Sequence, residues 1–240
     1  MKKFALITGA SGGIGQAIAL NLAEQGYSLY LHYNQNQVEM ERLLKRLSLF
    51  NGEFIPIQAD LSEKGNYKKV SDNIFSIDVI VHCSGASHYG LFTELEDETA
   101  EMMFNLHMMS PVLLTKMLLP KMLNKGKGSI IFISSIWGQT GAACEVIYST
   151  VKGSQNAFVK ALSKEVALSG IRVNAIAPGA VDTVMMSGFT NEERAEIEND
   201  IPMGRIGVPE NIADAASFLI SDKASYITGQ VIAVNGGWYT

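Results

Sequence analysis

Seven short apolar runs alternate with helix-like segments along the whole chain, and this alternation limits the possible folds more than any single residue does. The strand candidates are residues 4–8, 28–33, 53–58, 78–82, 129–134, 172–177 and 231–234. Most are nearly continuous in apolar residues, the pattern of a parallel strand covered on both faces. Helix candidates lie between them, near residues 14–25, 37–50, 64–75, 98–125, 149–168 and 209–220. In the fifth, Phe158, Ala161, Leu162 and Val166 fall on one stripe at helical spacing. The expectation is an α/β fold: a Rossmann-type doubly wound parallel sheet of about seven strands, helices on both faces, right-handed crossovers. One domain is expected over residues 1–240, with a substrate loop at about 184–208. Ligands bind such sheets beyond the carboxyl ends of the strands, so the residues just after each strand carry the functional reading.

Composition narrows the class. Apolar residues make up 47% and charged residues 18% of the 240, which excludes a disordered chain or a coiled coil. A net charge of −5 disfavours a nucleic-acid surface. Two cysteines, Cys83 and Cys144, support neither a disulfide framework nor a Cys-rich zinc site, which fits a reducing cytoplasm. His32 and His88 lack Cys/His partner spacing, so no metal is expected. The apolar run Phe4 to Ile7 is too short for a signal peptide, and no run of 18 apolar residues suggests a membrane span.

After the first strand comes Thr8-Gly9-Ala10-Ser11-Gly12-Gly13-Ile14-Gly15, then an Ala-rich helix. Gly9, Gly13 and Gly15 permit a tight turn and close approach of backbone to a pyrophosphate, which the helix N-terminus attracts. The spacing is not a Walker A loop, and no Lys-Ser or Lys-Thr follows. Asp60, with Leu61 after it, follows the third strand, where a carboxylate can accept from an adenine amino group; a turn or N-cap is the commoner use. Ser84-Gly85 follow the fourth strand. The second strand ends at Tyr33 with no acid before Glu39, so nothing there holds a ribose 2′-hydroxyl or repels a 2′-phosphate. That leans toward NADP.

The fifth strand ends in Ser134-Ser135; Tyr148 follows and Lys152 stands four residues further on, one helix face from it. A close ammonium is expected to lower the Tyr148 pKa and suit it to act as a general acid toward a ketone, with Ser135 holding the carbonyl oxygen.

With Thr8-Gly9-x-x-x-Gly13-x-Gly15, Asp60, Ser135, Tyr148-x-x-x-Lys152, Asn174-Ala175-Ile176-Ala177-Pro178-Gly179, Thr183 and Asn235-Gly236-Gly237, the whole chain resembles the short-chain dehydrogenases/reductases. Within them it looks most like 3-oxoacyl-(acyl-carrier-protein) reductases. The stretch from Ser134 to Gly138 and from Cys144 to Tyr148 also resembles a branch of elongation factor P 5-aminopentanone reductases. The resemblance implies a nicotinamide cofactor, with Tyr148 giving the proton, Lys152 binding the nicotinamide ribose and Ser135 orienting the substrate. Cofactor contacts then fall at Gly9, Ser11, Gly13, Ile14, Gly15 and Tyr33, at Asp60, Leu61, Ser84 and Gly85, and at Pro178, Gly179, Val181 and Thr183. His82-Cys83-Ser84-Gly85 departs from the family's usual Asn-Asn-Ala-Gly. Acyl-carrier protein or elongation factor P is the implied partner, and a homotetramer the implied assembly. A non-catalytic NADP-binding redox sensor is the competing class, though such relatives commonly lack the Tyr/Lys pair.

Two residues add to this. Glu145, three before Tyr148, is a candidate for attracting an amine-bearing substrate. His107 falls where the family often has an Asn whose carbonyl holds a relay water. Pro111 has no N–H, so the His107 carbonyl loses its helical partner and the helix is expected to kink, with His107 adding a titration near neutral pH.

Overall fold

The computed structural model describes residues 2–240. Seven strands form one parallel sheet in the order β3-β2-β1-β4-β5-β6-β7. They are β1 (Lys3–Thr8), β2 (Tyr27–Tyr33), β3 (Phe54–Gln58), β4 (Val79–His82), β5 (Gly128–Ile133), β6 (Ile171–Pro178) and β7 (Val231–Val234). The central strands are mostly apolar because both faces are covered, whereas the edge strands β3 and β7 are only partly buried. In β1, Ala5 and Ile7 enter one core and Leu6 the other; in β5, Ile131 and Ile133 oppose Ile130 and Phe132 in the same way. The first core lies under helices α1 (Gly13–Glu24), α2 (Gln37–Leu47) and α9 (Pro209–Ile220). The second lies under α3 (Tyr67–Ser71), α5 (Ser110–Lys125) and α7 (Val146–Val166). Burying each such Leu, Ile or Phe side chain contributes about 1.5–3 kcal/mol.

The third helix is shorter than expected, beginning only at Tyr67, because Gly65 takes a turn at φ +89° just before it. The expected kink is a turn of π-helix, Asn105–Met109, joining α4 (Asp97–Phe104) to α5 immediately before Pro111. The continuous run Asp97–Lys125 has the length and composition of a bilayer span, the only such helix among the described residues. Leu114, Leu118 and Met122 on it are fully buried against the sheet, which marks a core helix. Two helices were not legible in the apolar pattern, α6 (Trp137–Thr140) and α8 (Asn191–Asp200). The latter belongs to the loop region after β6, where Met186, Ile201 and Ile206 form a small core of their own with Trp238.

Strand order reverses between β1 and β4, so a crevice opens at their carboxyl ends. Thr8 ties it: its Oγ1 accepts from Cys83 N at 3.0 Å and Ser84 N at 3.2 Å.

Candidate active site

One half of the crevice is the glycine turn. Gly9 sits at φ +68°, and a Cβ there would come within 2.8 Å of Ser84 Cα, so both the turn and the approach of the next loop require glycine. Helix α1 starts from Gly12 with no side-chain cap and no acid in its first turn. Its N–H groups at Gly13, Ile14 and Gly15 are therefore open to an anion. Thr183, after β6, closes over this turn: its Cγ2 lies 3.0 Å from where a Gly13 Cβ would be. Ser11 holds the turn through its carbonyl, which accepts from Gln16 Nε2 at 2.9 Å. An open helix end facing loops that follow β4 and β6 fits a dinucleotide pyrophosphate.

His32, which spacing alone discounted, turns out to build this half. It is 2% exposed in β2. Its Nε2 lies 2.9 Å from Ala59 O, so Nε2 carries the proton and Nδ1 is free to accept from Gly9 N at 3.1 Å. Burial pushes its pKa down to about 4, which keeps the ring neutral. One imidazole thus joins the glycine turn, β2 and the end of β3. A polar residue in the last turns of an apolar strand was the only sequence signal.

Asp60 Oδ1 accepts from Ser62 N at 2.9 Å, so one oxygen serves a local turn. Partial burial pushes its carboxyl up, but hydrogen bonds from Ser62 and Asn34 outweigh this and hold it below the usual range. Leu61 is buried, and its carbonyl accepts from Ser110 Oγ at 2.7 Å. Tyr33 ends β2 as expected. The first acid beyond it, Glu39, is paired with Arg42 at 2.5 Å.

The other half gathers Ser135, Tyr148 and Lys152. Gly138 makes this possible: a Cβ there would meet the Lys152 backbone at 2.7 Å, so only glycine lets α6 lie on α7. Trp137 N donates to Ser135 Oγ at 3.2 Å, and the Ser135 hydroxyl is near enough to the Tyr148 phenol to favour its phenolate form. Lys152 is 4% exposed; its Nζ donates to Ile133 O at 2.8 Å and lies 5.5 Å from the Tyr148 ring centre. Burial pushes Lys152 down to about 8. Burial also pushes Tyr148 up to about 12, outweighing the Ser135 hydroxyl. The expected lowering of Tyr148 by Lys152 is therefore corrected: desolvation of the phenol dominates. Cys83, just after the end of β4, is pushed up to about 12 by burial and is an inert thiol.

His107 is fully buried, edge-on to Tyr148 with ring centres 5.7 Å apart. Burial, helped by the Lys152 charge, pushes it down to about 3, so the expected titration near neutral pH is absent. Its carbonyl is not left for water alone: Gln155 Nε2 donates to it at 2.6 Å. Gly85 packs on the His107 ring, with a Cβ there only 2.8 Å from Cε1. Glu145 begins α7, half-buried, its carboxyl pushed up by burial against a hydrogen bond from Trp137 that lowers it. Pro178 ends β6, Gly179 N donates to Val234 O at 3.2 Å, and Val181 bridges to Gly207.

An anion cradle at the switch point, opening onto a half-buried phenol with a serine and a lysine near it, defines an NAD(P)-dependent oxidoreductase. Residues 9–239 match the family model described as enoyl-(acyl carrier protein) reductase. Over its whole length the chain is 54% identical to the uncharacterized oxidoreductase YmfI of Bacillus subtilis, covering 100% of both. It is 33% identical to the 3-oxoacyl-[acyl-carrier-protein] reductase FabG of Staphylococcus aureus, covering 100% of this chain and 99% of the relative. The solved structure of YwfH, an NADPH-dependent reductase involved in bacilysin biosynthesis, superimposes with TM-score 0.91 at 27% identity, covering 100% and 99% of the two chains. The chain belongs to the short-chain dehydrogenase/reductase family.

Proposed function

We propose that the protein reduces a ketone to a secondary alcohol with NADPH. The observation that carries this is geometric: Tyr148 is half-buried with the Lys152 ammonium 5.5 Å from its ring centre and Ser135 at the end of β5, and burial holds the phenol above its ordinary pKa. At neutral pH it holds its proton, as an acid that must give one to a forming alkoxide requires. The cofactor supplies hydride when bound. Ser135 orients the carbonyl oxygen toward the phenol. Lys152, still largely ammonium at neutral pH, offsets the phenolate that remains and binds the nicotinamide ribose. Gly13, Ile14 and Gly15 take the pyrophosphate, with Gly9 and Ser11 shaping the turn; Asp60 and Leu61 border the adenine. Ser84, Gly85, Pro178, Gly179, Val181 and Thr183 line the nicotinamide side. NADPH is favoured because the end of β2 offers Tyr33 and no free acid, Glu39 being paired with Arg42.

The substrate in this reading is a 3-oxoacyl thioester or a protein-linked acyl chain. The likeness to the FabG reductase supports it, as do exposed Leu91, Phe92, Val184 and Met185 on the loops after β4 and β6, an apolar rim for such a chain. The Tyr148/Lys152 spacing of four supports carbonyl over carbon–carbon double-bond reduction. Glu145 favours a second reading, a ketone carrying an amine on elongation factor P: it stands at the N-cap of the helix that carries Tyr148, and its charge raises the phenol. A homotetramer is proposed for the assembly, supported by exposed Phe104, Met109, Met117 and Leu123 along α4 to α5.

The test is a panel of acetoacetyl thioesters, simple ketones and modified elongation factor P, each with NADPH and with wild-type and Glu145→Gln protein. A selective loss on the amine-bearing substrate favours the second reading; unchanged relative rates favour the first. No turnover on any ketone contradicts both.

A further inference from the structure

The apolar stripe of α7 that faces the sheet is broken at its centre. Val151 and Val159 are fully buried, and Gln155 lies between them at helical spacing, 2% exposed. A polar side chain in that position is costly to bury unless its amide is used. It is used once: Nε2 donates to His107 O at 2.6 Å, while Gln155 Oε1 and His107 Nδ1 find no protein partner. That carbonyl is the one Pro111 deprives of its helical N–H. The bond therefore joins two elements, helix α7 and the π turn before α5.

What the π turn carries gives the bond its meaning. The His107 Nε2 lies 2.8 Å from Ala86 O in the loop after β4, and its ring stands edge-on to Tyr148 at 5.7 Å. Gly85 rests on the same ring. Tyr148, Lys152 and Gln155 follow one face of α7 at spacings of four and three. The helix that supplies the phenol and the ammonium is thus pinned, one turn further on, to the residue that forms the wall behind the phenol.

We propose that Gln155 is a positioning residue: its amide fixes the π turn against α7 and, through the His107 ring, holds the Tyr148 phenol in the geometry proton donation needs. This rests on the reading of Tyr148 as proton donor. The pyrophosphate cradle at Gly9–Gly15 lies outside this linkage, so the effect falls on turnover and not on cofactor affinity.

The experiment is kinetics and cofactor titration of Gln155→Met, which keeps length and burial but removes the donor, beside wild type and Tyr148→Phe. Expected are a more than tenfold fall in kcat, an NADPH Kd within threefold of wild type by fluorescence, and a pH profile whose alkaline limb, that of Lys152, moves to higher pH as water relieves the burial of its ammonium. Wild-type kcat and profile in Gln155→Met would overturn the proposal. Should Gln155→Met fail to fold, Pro111→Ala/Gln155→Met supplies a helical N–H to the orphaned carbonyl. That protein should fold and keep the kcat deficit, while Pro111→Ala alone stays near wild type; wild-type kcat in the double variant overturns the proposal. An active Tyr148→Phe would instead sink the underlying reading, and the positioning role with it.

Discussion

Three of the four histidines are buried inside the sheet and its flanking helices, and this makes the fold acid-labile in a calculable way. Burial pushes His32 to about 4 and His82 and His107 to about 3. In the unfolded chain each titrates near 6.5, so below that pH the unfolded state binds more protons than the native one. Stability is therefore complete above pH 6.5 and falls as pH drops toward the native values. At pH 5 each ring costs roughly 2 kcal/mol, and the three together about 6, against a usual total of about 5–15 kcal/mol. Glu145, pushed up by burial, takes its proton more readily in the native state and offsets a small part. Urea melts followed by circular dichroism at pH 7.5, 6.5, 5.5 and 5 should show a slope approaching three protons, about 4 kcal/mol per pH unit. His82 is the cleanest control, since its Nε2 meets Thr115 Oγ1 at 2.8 Å and its ring packs on Phe132. Replacing both partners, His82→Leu with Thr115→Val, leaves no orphaned polar atom and should remove one proton from the slope. A free energy flat to about 1 kcal/mol between pH 6.5 and 5 would refute the reasoning, because it would mean the rings are solvated in the native state.

Lys152, pushed down to about 8, predicts that ketone reduction declines as pH rises through about 8. A kcat/KM profile should show that limb, and Lys152→Arg should move it upward. Tyr33→Asp should shift preference from NADPH toward NADH, measured as a ratio of dissociation constants, because it places a carboxylate where the 2′-phosphate would lie. The assembly should have a tetramer mass by light scattering at assay concentration; a monomer mass would refute that part.

The sheet was legible because its strands are apolar on both faces, and for β7 the expected and observed limits coincide at Val231–Val234. Helix α8 was not, since it is polar all round and offers no apolar period. A signal for it did exist: Thr190 and Glu193 form a capping box, the Ser/Thr-x-x-Glu pattern that opens a helix. Position after the strands singled out the glycine turn, Asp60, Ser84-Gly85 and Ser135, helical spacing paired Tyr148 with Lys152, and the residues after the sixth strand came from the resemblance; the structure brings Tyr148 and Lys152 together. Their electrostatics could not be read that way. Tyr148 was expected to be lowered by Lys152, but desolvation depends on how much protein surrounds the ring, which no spacing encodes. His32 and Gln155 were missed for a related reason. Each acts through contacts to residues distant in sequence, Gly9 and Ala59 for His32 and His107 for Gln155.

The central claim is that Tyr148 delivers the proton to a reduced carbonyl. Stopped-flow single turnover of Tyr148→Phe with NADPH and a 3-oxoacyl thioester tests it most directly, beside a cofactor titration of the same protein. The account predicts an unchanged fold, an NADPH Kd close to wild type, and hydride transfer slowed by a factor of at least about 100, within the usual contribution of a general acid. Turnover within a few-fold of wild type, with cofactor bound, would contradict it.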